Sequence, residues 1–155
     1  MSEREMITGI DVPISFKYNY TAAATTALFL DKIKEGKIVG QRCPSCSNVY
    51  IPPRGCCAKC GVVTEEEVEL PPTGVIESFT IVHLPIPGSP IEPPIISANI
   101  ILDGADIPFM HLISEVDLEK VEIGMRVEAV WKPEEEWDYT LENIAWFRPI
   151  ENTND

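Results

Sequence analysis

The side chains of this sequence that are best suited to chemistry are four cysteines in two Cys-x-x-Cys pairs. They are Cys43, Cys46, Cys57 and Cys60, and ten residues lie between the pairs. Each Cys-x-x-Cys turn directs two thiolates at one point, about 2.3 Å from a tetrahedral metal, and two such turns close the site. A closed four-thiolate site leaves no position for water or substrate. The spacing therefore predicts a structural zinc, with iron as the alternative, and the function must lie elsewhere.

A fifth cysteine, Cys56, stands directly before the second pair. The two-residue spacing of Cys57 and Cys60 makes the better metal-binding turn, so Cys56 is interpreted as a neighbouring free thiol. An odd number of cysteines with this spacing fits metal binding in a reducing cytoplasm better than a disulfide framework. Because residues 1–11 contain charges and no long apolar run, we expect a cytoplasmic protein without a signal peptide or membrane span.

The composition limits which classes of molecule are expected to bind this protein. The chain has 155 residues, 45% of them hydrophobic, and a formal net charge of −13. This is enough for a small module joined to a modest domain. The negative charge repels the phosphates of nucleic acids and anionic lipids, so neither is expected as a partner. Four aromatic residues with acidic neighbours are interpreted as core or partner contacts rather than as stacking sites for single-stranded nucleic acid: Trp131, Trp137, Trp146 and Phe147.

The order of apolar segments and turn residues predicts a mainly β protein with one helix near its N-terminus. Residues 1–36 form an arm and an alanine-rich helix (21–35), residues 37–70 a zinc ribbon, residues 71–150 a barrel, and residues 151–155 a tail. The predicted ribbon strands are 37–42, 48–51 and 68–70. The predicted barrel strands are 74–84, 94–102, 107–114, 125–131 and 139–148. Five short strands favour the oligonucleotide/oligosaccharide-binding (OB) fold, with a sandwich as the alternative.

Four segments give the chain a resemblance to a known family. They are residues 29–43 (FLDKIKEGKIVGQRC), 49–54 (VYIPPR), 74–80 (GVIESFT) and 123–131 (IGMRVEAVW). In them the chain resembles the bacterial and archaeal proteins that join an N-terminal rubredoxin-like zinc ribbon to an OB-fold, known as domain of unknown function family 35 (DUF35). Ser47 departs from the glycine that this family often has after the second cysteine. Because glycine there leaves room for amide-to-sulfur hydrogen bonds that tune iron, Ser47 is expected to disfavour iron.

The resemblance implies an accessory partner of thiolase-superfamily enzymes, which include thiolases, hydroxymethylglutaryl-CoA synthases and thiolase-like aldolases. One candidate is the small subunit of a benzoylsuccinyl-CoA-type thiolase of anaerobic aromatic degradation. In this family the chemistry belongs to the enzyme, and the accessory chain helps to form the acyl-CoA site in a hetero-oligomer. The leading hypothesis is therefore a non-catalytic zinc-binding subunit. The alternatives are an independent acyl-CoA-binding or carrier protein, a nucleic-acid-binding OB protein, and an enzyme in its own right.

Three cations around the predicted ribbon are candidate contacts for the phosphates of coenzyme A: Arg42, Arg54 and Lys59. The alternatives for them are a solvated face or salt bridges to an acidic partner. No catalytic residue is predicted, because neither His83 nor His111 has a nucleophile or carboxylate at a recognisable catalytic spacing. The proline-rich segment 85–94, the helix and the arm are candidate docking elements.

Overall fold

The computed structural model describes residue 9 and residues 12–16, 18–85 and 87–150. This part of the chain contains α1 (Ala24–Lys34), β1 (Ile38–Arg42), β2 (Val49–Tyr50), β3 (Glu66–Leu70), β4 (Thr73–Val82), β5 (Ile95–Leu102), β6 (Phe109–Ile113), β7 (Arg126–Trp131) and β8 (Ile144–Pro149). The predicted tail and part of the predicted arm lie outside the described residues. Within the described ranges, no helix is long and apolar enough to cross a membrane.

Helix α1 begins at Ala24, three residues later than the helix predicted from residue 21. It begins after Ala23, which makes no side-chain cap hydrogen bond, since alanine has no polar atom to offer the first amides of a helix. The helix ends at Lys34, and Gly36, two residues later, has a left-handed φ of 74°. The Gly36 amide donates to the Ile33 carbonyl and the Lys37 amide to the Lys32 carbonyl. These two bonds form a Schellman motif and complete the end of the helix.

The three ribbon strands form an antiparallel sheet in the order β2-β1-β3. β1 pairs with β3 along its whole length, from Ile38 opposite Leu70 to Arg42 opposite Glu66, whereas β2 contributes two residue pairs. The third ribbon strand, β3, therefore begins at Glu66 rather than at the predicted residue 68, because all five residues of β1 pair with it. Strands this short bury little surface on their own, so the sheet needs further anchors.

The five remaining strands form a closed barrel in the order β4-β5-β6-β8-β7. Neighbouring strands are antiparallel except β6 and β8, which run parallel and meet at the pair Ile113 and Phe147. This arrangement is the OB-fold, so the predicted mainly β architecture is confirmed. Every second residue of β5 is buried, as expected for a strand with one face on the core: Ile96, Ala98, Ile100 and Leu102.

Strand β8 begins at Ile144 rather than at the predicted residue 139. The residues before it form a turn and a 3₁₀ helix because their side chains bind the local backbone. The Thr140 hydroxyl accepts a hydrogen bond from the Glu142 amide. The Asn143 side chain accepts from the Asp138 amide at 3.0 Å and donates to the Asp138 carbonyl at 2.7 Å. These bonds satisfy backbone groups that a strand would have used.

One apolar core joins the helix, the ribbon and the barrel. Phe29 of α1 meets Phe109 of β6 edge to face, with ring centres 6.5 Å apart. The ribbon contributes four buried side chains to the same core: Ile38, Val49, Ile51 and Leu70. A continuous core of this kind packs the ribbon directly against the barrel.

Two polar side chains hold the junctions between these parts. The Asp106 carboxylate, in the β5–β6 loop, accepts a hydrogen bond from the Val49 amide at 2.8 Å. The Asp106 amide in turn donates to the Val49 carbonyl at 3.0 Å. Asn143, which is fully buried, donates to the carbonyl of Ile33 in α1 at 3.4 Å. The ribbon and the helix are therefore fixed to the barrel by hydrogen bonds as well as by packing.

We expect Gly36→Ala to lower the free energy of unfolding by about 1–3 kcal/mol. The left-handed conformation is strained for alanine, and its Cβ would lie 2.7 Å from two ring carbons of Trp137. Urea unfolding followed by fluorescence measures the change. Gly9→Ala is the control, because a Cβ at Gly9 meets nothing within 4 Å. Equal stabilities of the two variants would contradict the packing of Trp137 on Gly36.

Candidate metal centre

The four predicted ligands, Cys43, Cys46, Cys57 and Cys60, come together at one point of the ribbon. Their Sγ atoms all lie within 4.8 Å of one another, and the Sγ atoms of Cys46 and Cys57 are 3.7 Å apart. Four sulfur atoms about 2.3 Å from a tetrahedral metal are about 3.8 Å from each other. Cys43 and Cys57 are buried, and the other two are half-buried. The four cysteines are therefore positioned to bind a metal ion, which would cross-link the two turns.

The two turns that carry the cysteines share one backbone arrangement. The amide after each pair donates to the carbonyl of the first cysteine at 2.9 Å, from Ser47 to Cys43 and from Gly61 to Cys57. Ser47 and Gly61 have left-handed φ angles of 64° and 68°. Cys57, rather than Cys56, is thus the residue equivalent to Cys43. Cys56 is exposed and lies outside the group of four.

Ser47 leaves the amide-to-sulfur hydrogen bonds of its turn in place. The Cys46 amide donates to Cys43 Sγ at 3.4 Å, much as the Cys60 amide donates to Cys57 Sγ at 3.3 Å. Ser47 therefore does not remove the hydrogen bonds on which the expectation about iron was based, and the preference for zinc over iron stays a prediction. Serine adopts the left-handed conformation that the turn requires, so the backbone donors keep their positions.

A buried tyrosine, Tyr50, adds a hydrogen bond that the sequence did not indicate. Tyr50 Oη lies 3.1 Å from Cys57 Sγ, and this bond lowers the pKa of the Cys57 thiol to about 6. The thiolate is the form that binds metal, so the hydroxyl favours the ligating state. In the sequence, the one signal for this hydrogen bond is the position of Tyr50 between the two cysteine pairs. Its hydroxyl is directed at Cys57 only because β2 is paired with β1.

Arg54 and Lys59 carry the uncompensated positive charge of the described surface. Of the lysines and arginines within the described ranges, these two alone have no described carboxylate within 4.0 Å. Both are exposed. The Arg54 guanidinium lies 5.7 Å from the centre of the Tyr50 ring, within cation–π range. Arg42, in contrast, donates a hydrogen bond to Glu66 at 3.1 Å.

The two histidines lie apart from the cysteine cluster. His83 is exposed after the end of β4. His111 of β6 lies between the rings of Phe109 and Phe147, at 5.8 and 5.5 Å. Burial there lowers the pKa of His111 below its usual range. Among the described residues, neither histidine is hydrogen-bonded to a serine, cysteine or carboxylate side chain.

The four aromatic residues interpreted as core or partner contacts have different surroundings. Phe147 is fully buried in the barrel. Trp131 and Trp137 pack against each other, with ring centres 5.4 Å apart. The Trp146 indole donates a hydrogen bond to the Glu115 carboxylate at 2.7 Å. Trp131 and Trp137 are therefore packing contacts, whereas Trp146 makes a hydrogen bond at the surface.

The fold and the four cysteines define a protein with a rubredoxin-like metal ribbon joined to an OB-fold. A family model described as "ChsH2, rubredoxin-like zinc ribbon domain" matches residues 30–63, and one described as "ChsH2, C-terminal OB-fold domain" matches residues 67–132. A DUF35 domain-containing scaffold protein of Methanocaldococcus jannaschii is 36% identical over 119 residues, which are 74% of this chain and 83% of that protein. This chain belongs to the DUF35 family.

Other similar proteins extend the comparison. A probable enoyl-CoA hydratase alpha subunit of Thermomonospora curvata is 31% identical over 105 residues. The match covers 68% of this chain, but this chain spans only about a third (32%) of the length of that protein. The solved structure of an Ltp2-ChsH2(DUF35) aldolase matches with a TM-score of 0.65 and 27% identity, over 84% of this chain and 98% of the matched chain. A DUF35 protein of unknown function from Sulfolobus solfataricus matches in fold, with a TM-score of 0.61 and 18% identity over 82% and 86% of the chains.

We expect Cys57→Ser to abolish stoichiometric metal binding, because it removes one of the four clustered thiolates and the acceptor of the Tyr50 hydroxyl. Elemental analysis by mass spectrometry should find about one metal ion per chain in the wild type. Cys56→Ser is the matched control, since Cys56 is exposed and adjacent in sequence. Loss of metal from Cys56→Ser, or its retention by Cys57→Ser, would contradict the ligand set.

Proposed function

We propose that this chain is a non-catalytic, zinc-binding accessory subunit that docks on a thiolase-like enzyme and helps to form its acyl-CoA site. Zinc fixes the ribbon, and the ribbon presents Arg54, Lys59 and Arg42 to the phosphates of coenzyme A. The enzyme supplies the reaction, within a cytoplasmic hetero-oligomer. The observation that carries this proposal is the pair of exposed cations without a described carboxylate partner, held at a four-thiolate cluster in a DUF35 chain.

The descriptions of similar proteins support an enzyme partner. One relative is described as a scaffold protein, a second as a subunit of an enoyl-CoA hydratase, and a solved structure as an aldolase that contains a DUF35 chain. All three descriptions fit a chain that works beside a catalytic protein. The second names a coenzyme A ester, which is the class of substrate proposed here.

The charge distribution supports phosphate contact. The whole chain has a net charge of −13, and such a field opposes the approach of an anion to most of the surface. Among the described residues, Arg54 and Lys59 are the exception to this negative surface, because no neighbouring carboxylate neutralises their charges. A guanidinium binds phosphate oxygens with two parallel hydrogen bonds, and an ammonium adds a point charge.

We expect this chain to co-purify with the thiolase-like protein that is encoded nearest to it in its genome of origin. The measurement is co-expression, affinity capture through a tag on this chain, and assay of CoA-dependent thiolysis, with benzoylsuccinyl-CoA among the substrates tested. Activity of the complex that is absent from either chain alone would support the accessory role. Failure to co-purify, without any effect on the activity of the enzyme, would contradict it.

Calorimetry on this chain alone distinguishes the independent acyl-CoA-binding alternative. An accessory subunit contributes only part of the site, so coenzyme A should bind the complex and give no heat with the isolated chain. Micromolar binding of coenzyme A to the isolated chain would favour the carrier hypothesis instead.

We expect Arg54→Ala to raise the KM of the complex for acyl-CoA by about 10- to 150-fold and to leave kcat nearly unchanged. A charged hydrogen bond to the ligand contributes about 1.5–3 kcal/mol, and Arg54 is proposed to contact the phosphates rather than the reacting atoms. Arg148→Ala is the control, because Arg148 pairs with Glu115 and Glu128 on the barrel surface. Equal effects of the two substitutions would exclude a specific contact by Arg54.

A further inference from the structure

Apolar side chains alternate with other residues along the segment before α1. Pro13, Ser15, Lys17 and Asn19 separate five apolar or aromatic residues, which are Val12, Ile14, Phe16, Tyr18 and Tyr20. These five side chains are between 70% and 82% exposed. The described residues of this segment lie outside any helix or strand. Strict alternation over this length is the pattern of a β-strand with one buried face, yet here that face is exposed.

The described residues of this segment pair with no sheet edge of the described ranges, although residues 77–82 of β4 have a strand partner on one side only. The barrel is closed through β6 and β8. In the ribbon sheet, β2 has two residues, and the outer strand β3 carries the exposed glutamates Glu66, Glu67 and Glu69. An apolar face would meet carboxylates beside β3. A second copy of the chain has the same edges and also a net charge of −13, which opposes self-association.

The size of the exposed face fits a protein–protein interface. Phe16, Tyr18 and Tyr20 would bury about 150–250 Å² each. A specific interface of standard size buries about 800 Å² on each partner, so these rings with Val12 and Ile14 supply most of one side. At about 3.3 Å per residue, an extended segment from residue 12 to residue 20 spans about 26 Å, the length of a full strand.

We propose that the segment of residues 12–20 binds the thiolase-like enzyme as an added β-strand, with Val12, Ile14, Phe16, Tyr18 and Tyr20 on an apolar groove beside an exposed sheet edge of that enzyme. This inference rests on the proposed function and specifies how the two chains associate. Strand addition provides affinity through main-chain hydrogen bonds and specificity through alternate side chains.

The single proline of the segment determines which of its edges can pair. In a strand, the amide and carbonyl of one residue point to the same edge, and those of the next residue point to the opposite edge. Pro13 has no amide hydrogen, so the edge that contains residues 13, 15 and 19 lacks one donor. The edge that contains Ile14, Phe16 and Tyr18 is complete and is the one expected to pair.

The test compares two variants of the full chain with the purified thiolase-like enzyme as the probe. The triple variant Ile14→Ser, Phe16→Ser, Tyr18→Ser removes the apolar face, and the double variant Ser15→Gln, Asn19→Gln changes the opposite face. Because all five positions are exposed, both variants should unfold at the same temperature as the wild type. We expect the triple variant to bind the enzyme about 100-fold more weakly and the double variant to bind within about threefold of the wild type.

Amide hydrogen exchange of the complex gives an independent readout. The amides of Ile14, Phe16 and Tyr18 should become protected on binding, whereas those of Ser15 and Asn19 should exchange as in the isolated chain. A wild-type complex that the triple variant forms equally well, without this protection, would overturn the strand addition and leave the accessory function standing. Absence of any wild-type complex would overturn both. A wild-type homodimer that the triple variant loses would assign the segment to a second copy and overturn the proposal.

Discussion

The convergence of four thiolates on one point is the constraint on which the ribbon depends. Between β1 and β3 lie more than twenty residues whose regular structure is limited to the two residues of β2 and the cysteine turns. A segment of this kind buries little apolar surface of its own, and a metal ion bound by the four cysteines would cross-link its turns. The sheet has a second anchor, because three of its buried side chains, Ile38, Val49 and Leu70, belong to the barrel core and the Val49 amide is hydrogen-bonded to Asp106. A metal bound by the four cysteines would thus fix the turns, and the core fixes the orientation of the sheet.

The metal centre was predictable from the sequence because its geometry is local. The Cys-x-x-Cys spacing already determines that two sulfur atoms meet, and the left-handed residue after each pair is a property of the backbone. For the same reason, the residue type at position 47 does not decide whether the amide-to-sulfur hydrogen bonds form: Ser47 and Gly61 adopt one conformation, so their turns keep the same donors. The hydrogen bond from Tyr50 was not predictable, since it requires the pairing of two strands that only the folded ribbon provides.

In the barrel, too, features that depend on neighbouring residues were predictable, whereas contacts between residues far apart in the sequence were not. Apolar residues that recur in β5 predicted a strand, and every second side chain there is buried. The start of β8 was missed because Thr140 and Asn143 bind the backbone nearby, which apolar patterning does not reveal. The bonds that join the parts, Asp106 to Val49 and Asn143 to Ile33, link residues 57 and 110 positions apart. Such contacts follow from the fold and cannot be inferred from spacing.

Charge and barrel closure together determine where this chain can meet another protein. The described cations of the barrel, Lys120, Arg126, Lys132 and Arg148, are each paired with a carboxylate. Closure also pairs the barrel strands with one another, and residues 77–82 of β4 are paired on one side only. Free positive charge and alternating apolar side chains instead occur before residue 71, in the ribbon and in the segment that precedes α1. Because the common core fixes the ribbon to the barrel, a partner that binds the N-terminal part also receives the barrel in a defined orientation.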